Sequence, residues 1–251
     1  METVIPKLTD VMRALLRADL TTQWRNRRSL MLTLIVPVII LMSWQGFVKL
    51  LGGAFVIANC ITVGLMAIGL MGYTNSIARD REKGIFQRLR VAPMPNWAIM
   101  VSRLAVQLLM ITIMCLAVFA AAVNIDHITD VTVTGYIVGL LTAFIGGAVY
   151  LSLGQLIAGL VRNSETANST TRLVYFIFIM VGMFGELGVL DKAGIKFKPF
   201  VHWTPYGTVK TIVMAGLRPS EWNSDATMGL LVTIGYIVVF ATIGIKKFKW
   251  R

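Results

Sequence analysis

Charged residues are scarce in this sequence. Asp, Glu, Lys and Arg make up 14% of its 251 residues and 56% are hydrophobic, and the mean hydropathy is +0.73. A soluble domain carries about 25% charged residues, so the composition indicates an integral membrane protein. The net charge of +12 does not predict a nucleic-acid partner, because such proteins concentrate their cations on a water-facing domain. Here the cations lie in short polar gaps between hydrophobic runs.

Cysteine and histidine are also rare, with two residues of each type. Cys60 and Cys115 lie deep in apolar runs without CxxC spacing, so we expect them to be small buried residues that carry no information on the redox compartment. His127 and His202 are far apart in sequence, which argues against a metal site built on histidine.

The common catalytic and nucleotide-binding motifs are missing. The sequence contains no GxxxxGK[ST], HExxH, GxSxG or Rossmann glycine pattern. We therefore do not expect the chain to cradle ATP phosphates or to be an enzyme, although an intramembrane active site needs none of these motifs. Residues 1–29 are too polar for the front of a signal peptide and no cleavage site follows the first apolar run, so an uncleaved anchor is expected.

Six hydrophobic runs predict an all-α integral membrane protein with six transmembrane helices in a domain of residues 30–251. Each run approaches or exceeds the roughly 20 residues that cross a bilayer, and none alternates like a barrel strand. The first run contains Pro37, which is expected to kink it. The runs are residues 30–47, 51–77, 97–123, 135–161, 173–190 and 227–245.

The distribution of lysine and arginine predicts the orientation. In the six-span arrangement 18 of these residues lie on one side and 6 on the other. Cytoplasmic loops carry the excess of positive charge, so both termini are predicted to be cytoplasmic. The protein is expected to be a multi-pass protein of the cell membrane, that is, the inner or plasma membrane.

An amphipathic helix is predicted before the first span. Residues 8–24 place apolar side chains on one helical face and charged side chains on the other. Such a helix lies along the membrane surface, so residues 1–29 are predicted to form a cytoplasmic interfacial segment. Its Arg25, Arg27 and Arg28 would bind anionic lipid headgroups.

A charged segment, residues 77–96, separates the second and third spans. It holds five cations and two acids. Ile85, Phe86 and Leu89 would share one side of a helix among these charges, which Gly84 interrupts and two following prolines end. Such a helix could be the docking site for a partner protein outside the membrane. It equally suits a solvated loop whose cations only fix the orientation.

A second unusual segment, residues 191–226, precedes the last span on the outer side. It is rich in aromatic residues and contains Pro199, Pro205 and Pro219. Residues 208–217 are moderately apolar but too short to cross a bilayer. Since aromatic side chains anchor at membrane interfaces, we expect re-entrant or interfacial helices here.

Several residues within the spans have two interpretations. Asn59, Thr62 and Asn75 lie along the second span and could line a pathway or hydrogen-bond neighbouring helices. Glu186 is the acid nearest the interior of a span, where a charge costs roughly 2.5–3.5 kcal/mol. A hydrated structural position at the outer end of the fifth span is favoured for it.

Glycines at helical spacing predict close contact between helices. They are Gly135 and Gly139 in the fourth span, and Gly182, Gly185 and Gly188 in the fifth.

The order of these features resembles the type-two permease family of ATP-binding-cassette (ABC) exporters, which includes daunorubicin-resistance-like and polysaccharide-export permeases. Residues 79–95, RDREKGIFQRLRVAPMP, are similar to the family's [ED]RE[KR]G…L…[TA]P pattern between its second and third helices. Residues 205–217 are similar to its proline-led outer segment. The chain departs from the pattern at residues 182–199, where many members have serine–glycine and then proline, so the resemblance does not extend to the outer gate.

The resemblance implies a role for each matching residue. Residues 78–92 would be a cytoplasmic coupling helix that docks on a separate ATPase subunit, and that subunit would bind ATP and Mg²⁺. The matching coupling residues are Arg79, Arg81, Glu82, Lys83, Gly84, Ile85, Phe86, Arg88 and Leu89. The second and fifth spans would line the substrate path, with Asn59, Thr62, Asn75, Phe176, Met180 and Glu186 as candidate residues.

The resemblance also implies an assembly and a substrate class. Two permease copies, expected as a homodimer, and two ATPases would form an efflux unit within the membrane lipids. An apolar path with few charges suits an amphiphilic compound such as a drug, antibiotic, lipid or peptide, and drug resistance would be one outcome. This chain would bind no cofactor of its own.

Two other functions stay open from the sequence. A transporter or channel driven by an ion gradient would use paired intramembrane charges or matched broken helices, and neither pattern is evident. A non-transporting membrane scaffold or immunity protein would also use a cytoplasmic handle, and the sequence argues against it only weakly.

Overall fold

The computed structural model describes residues 7–90, 96–186 and 197–247. The side chains of residues 28–30, 32, 89, 90, 96, 183 and 186 are outside this description. All the regular elements in these three ranges are helices and none is a strand, which confirms the predicted all-α class.

The chain forms thirteen α-helices in the described ranges. They are α1 (Leu8–Arg25), α2 (Arg27–Ser43), α3 (Gln45–Leu51), α4 (Gly53–Met66), α5 (Thr74–Glu82), α6 (Ile85–Arg90), α7 (Asn96–Asn124), α8 (Val133–Leu160), α9 (Ser164–Phe178), α10 (Phe184–Glu186), α11 (Lys198–His202), α12 (Pro205–Leu217) and α13 (Ser224–Lys247). Two π-helical stretches, Ala67–Tyr73 and Ile179–Met183, join α4 to α5 and α9 to α10.

Four helical segments are long and apolar enough to cross a membrane. They are Gly53–Glu82, Trp97–Asn124, Val133–Leu160 and Ser224–Lys247, and they coincide with the second, third, fourth and sixth predicted spans. A bent pair formed by α2 and α3 makes a fifth span if the two are counted together. The predicted fifth span corresponds to α9 and α10, which do not meet the same criterion within the described residues. The chain is therefore a multi-pass membrane protein.

The first predicted span breaks at Trp44. Helix α2 continues through Pro37, whose ring packs beside Gly64 of α4. The chain turns by 64° between α2 and α3, where Trp44 is buried against the core and its ring centroid lies 5.3 Å from that of Phe47. The break at Trp44 was not predicted from the sequence, and the kink at Pro37 stays a prediction.

Helix α4 lies at the centre of the bundle. All but one of its 14 residues are buried, and α2, α7, α8 and α12 pack around it. Cys60 and Cys115 are both buried with free thiols, as predicted. In contrast, α13 lies at the periphery, because only 17% of its apolar window is buried. The exposed side of α13 is therefore a surface for lipid or another chain.

The short helix α12 is buried inside the protein. Ten of its 13 residues are buried, and it packs lengthwise against α8, α13 and α4. Gly135 and Gly139 make this possible: a Cβ on Gly139 would lie 2.8 Å from Leu217 Cδ2, and one on Gly135 would collide with the Leu217 carbonyl oxygen. The predicted close approach at these two glycines is confirmed.

The glycines of the fifth predicted span also allow close packing. A Cβ on Gly182 would collide with the Tyr206 ring, and one on Gly185 would lie 2.5 Å from Val201 Cγ2. Gly188 is outside the described residues. The α9–α10 segment thus packs directly against the α11–α12 segment.

Candidate functional site

The charged segment forms two helices joined by a tight turn. Helix α5 ends at Glu82 and α6 begins at Ile85, and Gly84 has a φ of 66°. This left-handed conformation favours glycine because a Cβ would be strained there. The predicted interruption at Gly84 is confirmed, whereas Pro93 and Pro95 are outside the described residues.

Arg81 binds the end of α8. Its Nη1 donates to the Ala158 carbonyl at 2.6 Å, and its Nη2 donates to the Val161 carbonyl at 2.6 Å. The last carbonyls of a helix have no partner within the helix and carry partial negative charge. A cation at this position therefore stabilises the C-terminus of α8.

Glu82 binds the start of α9. Its carboxylate accepts hydrogen bonds from the Ser164 hydroxyl and from the Ser164 backbone N–H, the latter at 3.3 Å. Ser164 is the first residue of α9, where the helix dipole favours an anion, and the Asn163 side chain accepts from Thr166 N at 2.8 Å. We call Arg81 and Glu82, with these partners, the Arg81–Glu82 clasp. It fixes both sides of the α8–α9 turn.

A second polar network joins α5 to α7 and α1. Arg103 Nη2 lies 2.6 Å from Asp80 Oδ2, and both side chains are largely buried. The neighbouring Ser102 hydroxyl donates to Asp19 of α1 at 2.6 Å. Burial raises the pKa of Asp19, although the hydrogen bond from Ser102 and the charge of Arg103 oppose this shift.

Phe86 anchors α6 to the bundle. It is only 1% exposed, and the Arg103 guanidinium lies 4.9 Å from the centre of its ring. Tyr73, Ile77 and Ile99 belong to the same small hydrophobic cluster. The apolar face predicted for this helix therefore points into the protein at Phe86, while the Leu89 side chain is outside the description.

The outward surface of the charged segment is basic. Arg79, Lys83, Gln87 and Arg88 are exposed, and Ile85 is half-buried. Arg79, Lys83 and Arg88 form no ion pair with any residue that the structure describes. These side chains can contact a partner, whereas those of Arg81, Glu82 and Phe86 already have partners within the chain.

Two of the candidate path residues lie in the core of the protomer. Asn59 is 1% exposed; its Oδ1 accepts from the Tyr206 hydroxyl at 2.7 Å, and its Nδ2 donates to the Phe55 carbonyl at 2.9 Å. Thr62 is fully buried and donates to the Ala58 carbonyl at 2.7 Å. Asn59 therefore connects α4 to α12.

Asn75 and the α9 candidates lie nearer the surface. Asn75 Nδ2 donates to the Met71 carbonyl at 2.8 Å and lies 3.4 Å from Asn168 Oδ1. It lines a cavity of about 450 Å³ that also reaches α9. Phe176 is 60% exposed, Met180 is half-buried, and the Glu186 side chain is outside the description. The structure thus places Asn75 beside α9, apart from the buried Asn59 and Thr62.

The sequence did not predict that Arg103 pairs with Asp80 and packs over the Phe86 ring. Its position within the third hydrophobic run is the signal that could have revealed it, because a charged residue inside a span needs a partner. Ser164 gave no comparable signal, since it lies 82 residues from Glu82. Its pairing becomes visible only in the folded chain.

The opposite end of the bundle has a charge network of its own. Asp130 accepts from the Gly53 N–H at 3.2 Å and pairs with Arg218, whose Nη1 also lies 3.5 Å from Glu221. The hydrogen bond from Arg218 to Asp130 raises the pKa of Arg218, although burial opposes it. Asp130 thereby joins the N-terminus of α4 to the C-terminus of α12.

Across the parts of the chain that the structure describes, no group of three or more His, Cys, Asp or Glu side chains could hold a metal ion. The features that stand out are instead two charge networks at opposite ends of a helical membrane bundle.

The sequence matches the family of ABC-2 family transporter proteins over residues 36–246. A comparison with curated proteins finds no match. The family match includes the charged segment, the Arg81–Glu82 clasp and α12, and it begins after α1. The chain therefore belongs to the ABC-2 transporter family, as a membrane component of transport rather than a catalytic one.

Proposed function

We propose that this chain is the permease subunit of an ABC exporter and that a separate ATPase subunit docks on the charged segment. The observation that carries this proposal is the attachment of the charged segment to α7, α8 and α9. Arg81 and Glu82 connect the segment to α8 and α9, and Arg103 connects it to α7. A force applied at α6 therefore reaches several helices together.

A partner is needed because the sequence contains no phosphate loop. A partner shifts a transporter between its inward- and outward-facing states only if it binds the two states with different affinity. An ATPase that changes shape with its bound nucleotide, ATP and Mg²⁺, supplies this difference through α6. The structure supports such coupling because α6 is packed through Phe86 and is not a free loop.

The residues proposed for coupling divide into two groups. Lys83 and Arg88 are exposed and form the contact surface, which would suit an acidic patch on the ATPase. Arg81 and Glu82 act within the chain and transmit the movement to α8 and α9. Gly84 shapes the turn between them.

The proposed topology has six spans with both termini in the cytoplasm of a cell-membrane protein. The bent α2–α3 pair is the first span, and α9 with α10 is the fifth. The clasp supports this arrangement because it brings the α5–α6 turn and the α8–α9 turn to the same side. The Asp130–Arg218 pair then lies on the outer side, where α12 acts as a re-entrant helix.

The substrate path is proposed between two copies of this chain, as a homodimer with two ATPases. Leu173, Phe176 and Ile177 of α9 are exposed, so this apolar face is free to line the path, together with Met180 and Asn75. Such a path suits an amphiphilic drug, antibiotic, lipid or peptide, and export follows from the family resemblance.

The test is reconstitution of the full chain with its ATPase in liposomes. We expect ATP hydrolysis that depends on the permease and rises with a transported amphiphile. The double variant K83E/R88E should weaken ATPase binding by about tenfold or more, since two contacting charges change sign. The matched control K246E/K247E changes two exposed cations at the end of α13 and should bind normally.

Other outcomes would contradict the proposal. Transport by the purified chain without any ATPase would indicate a transporter or channel driven by an ion gradient. Stable binding of a partner with no ATP-dependent transport would indicate a scaffold.

A further inference from the structure

A polar cavity of about 550 Å³ lies between α1, α5 and α7. This volume is in the range of small-molecule pockets, roughly 300–1,000 Å³. Arg25 from the end of α1, Arg79 from α5 and Lys83 from the following turn line it, and Arg103 forms part of its wall. Four cations from separate elements thus converge on one space.

The positive charge of this cavity is compensated only in part within the chain. Asp80 and Asp19 also line it, but Asp80 pairs with Arg103 and Asp19 accepts from Ser102. Arg25, Arg79 and Lys83 have no acidic partner among the residues that the structure describes. Arg103 is 9% exposed, and its Nε has no hydrogen-bond partner there. The cavity therefore offers donors and positive charge to an anionic ligand.

Two of the helices that line the cavity also carry exposed apolar side chains. Leu20 and Trp24 of α1 are exposed, and so are Leu104 and Leu108 of α7. A ligand with an anionic head and hydrocarbon tails could place its head in the cavity and its tails along these helices. Basic pockets between membrane helices on the cytoplasmic side bind phosphate-bearing lipid head groups. A soluble phosphate compound would share the head chemistry but would gain nothing from the apolar side chains.

We propose that this cavity binds the phosphate-bearing head group of an anionic phospholipid. Such a lipid would connect Arg25 of α1 to Arg79 and Lys83, and so would hold the interfacial helix against the charged segment. This inference rests on the proposed function only in placing the cavity on the cytoplasmic side of the membrane. Binding itself requires no ATPase, so failure of this inference and failure of the coupling proposal are distinguishable.

The experiment is a titration of the purified full chain with phosphatidylglycerol or phosphatidylcholine, followed by native mass spectrometry. The chain should prefer phosphatidylglycerol. The triple variant R25Q/R79Q/K83Q should bind it on the order of 100-fold more weakly, because each cation near an anionic lipid contributes roughly a factor of five. The matched control R88Q/K246Q/K247Q removes the same charge from exposed positions outside the cavity and should stay within about threefold of the wild type.

Three results would overturn the inference. They are unchanged phosphatidylglycerol binding in the cavity variant, an equal loss in both triple variants, and protection against thermal unfolding by inorganic phosphate that equals protection by phosphatidylglycerol. The last result would assign the cavity to a soluble phosphate compound. If the triple variant does not fold, R25Q and R79Q replace it singly, and each should weaken binding by roughly fivefold.

Discussion

The two ends of the bundle use the same chemistry for different purposes. At one end Arg81 and Glu82 neutralise the ends of α8 and α9. At the other, Asp130 accepts from the first N–H of α4 and pairs with Arg218, the residue that follows α12. In each case an acid meets a helix N-terminus, as the helix dipole favours.

The difference lies in what each network holds. The Asp130–Arg218 network holds α12, a helix that is mostly buried among α4, α8 and α13. The Arg81–Glu82 clasp holds the end of α5. The six-residue helix α6 follows it, with exposed cations and one buried aromatic anchor, Phe86. Helix α12 is therefore part of the core, whereas α6 presents exposed cations at the surface, where the proposed ATPase would bind.

The largest effect is expected where α12 meets α8. Gly135→Ala should destabilise the chain by about 3 kcal/mol, because the new Cβ would meet the Leu217 backbone, which cannot move aside. The matched control is Gly235→Ala in α13, where nothing lies within 4 Å. It should be neutral or stabilise by up to about 1 kcal/mol, since alanine is the better helix former. Chemical unfolding in detergent measures both, and equal effects would show that α12 is loosely packed.

The clasp should give the next largest effect. Arg81→Met removes two hydrogen bonds from a charged donor to the end of α8, at a cost of about 2 kcal/mol. Arg88→Met removes an exposed cation that has no such partners among the described residues, and it should stay within about 0.5 kcal/mol of the wild type. Unfolding and proteolysis of the α8–α9 turn provide the measurement. If the two variants have the same stability, the clasp does not hold this turn.

A smaller loss is expected at the buried hydrogen bond between α12 and α4. Tyr206→Phe leaves Asn59 Oδ1 without its donor in a buried site, at a cost of about 1–2 kcal/mol. Tyr175→Phe serves as the control, because the Tyr175 hydroxyl forms no hydrogen bond with the described residues. A melting temperature for Tyr206→Phe equal to that of the control would contradict the assigned role of Asn59.

The smallest effect is expected at Asp19, and it depends on pH. Because burial raises the pKa of Asp19, its charged form is less favourable in the folded chain than in the unfolded chain. This penalty is fully present above the folded-state pKa and disappears as the pH falls towards the ordinary value of 3.8. Asp19→Asn keeps an acceptor for Ser102, so its melting temperature at pH 7.5 should equal or slightly exceed that of the wild type.

The dependence of stability on pH provides a second test of the Asp19 prediction. As the pH is lowered through the folded-state pKa, the wild type should gain stability relative to Asp19→Asn. A variant that is clearly less stable at pH 7.5 would show that attraction by Arg103 outweighs the effect of burial.

Hydrophobic length and helical spacing predicted most of the fold. The amphipathic pattern at residues 8–24 matches α1, Leu8–Arg25, and four apolar runs match helices that can cross a membrane. These features are local, so the sequence carries them directly. The bend at Trp44 and the π-helical stretch Ala67–Tyr73 were not predicted, because they depend on packing between helices.

The candidate site was predicted only in part. The glycine turn at Gly84 and the charge of the segment follow from local residue types. The partners of Arg81, Glu82 and Asp80 lie on distant parts of the chain, and one sequence cannot reveal such pairs. The family resemblance also assigned Phe86 to the docking helix. Its ring lies in the hydrophobic cluster formed with Tyr73 and Ile77.

Photocrosslinking at Gln87 tests the central claim most directly. Gln87 is exposed on α6, and Asn223 is exposed before α13 at the opposite end. A photoreactive amino acid in place of Gln87 should capture a chain that carries a phosphate-binding loop, in cells that express the full transporter, whereas the same group in place of Asn223 should not. No ATPase captured at Gln87, or equal capture at both positions, would contradict the proposal that α6 receives the force of ATP hydrolysis.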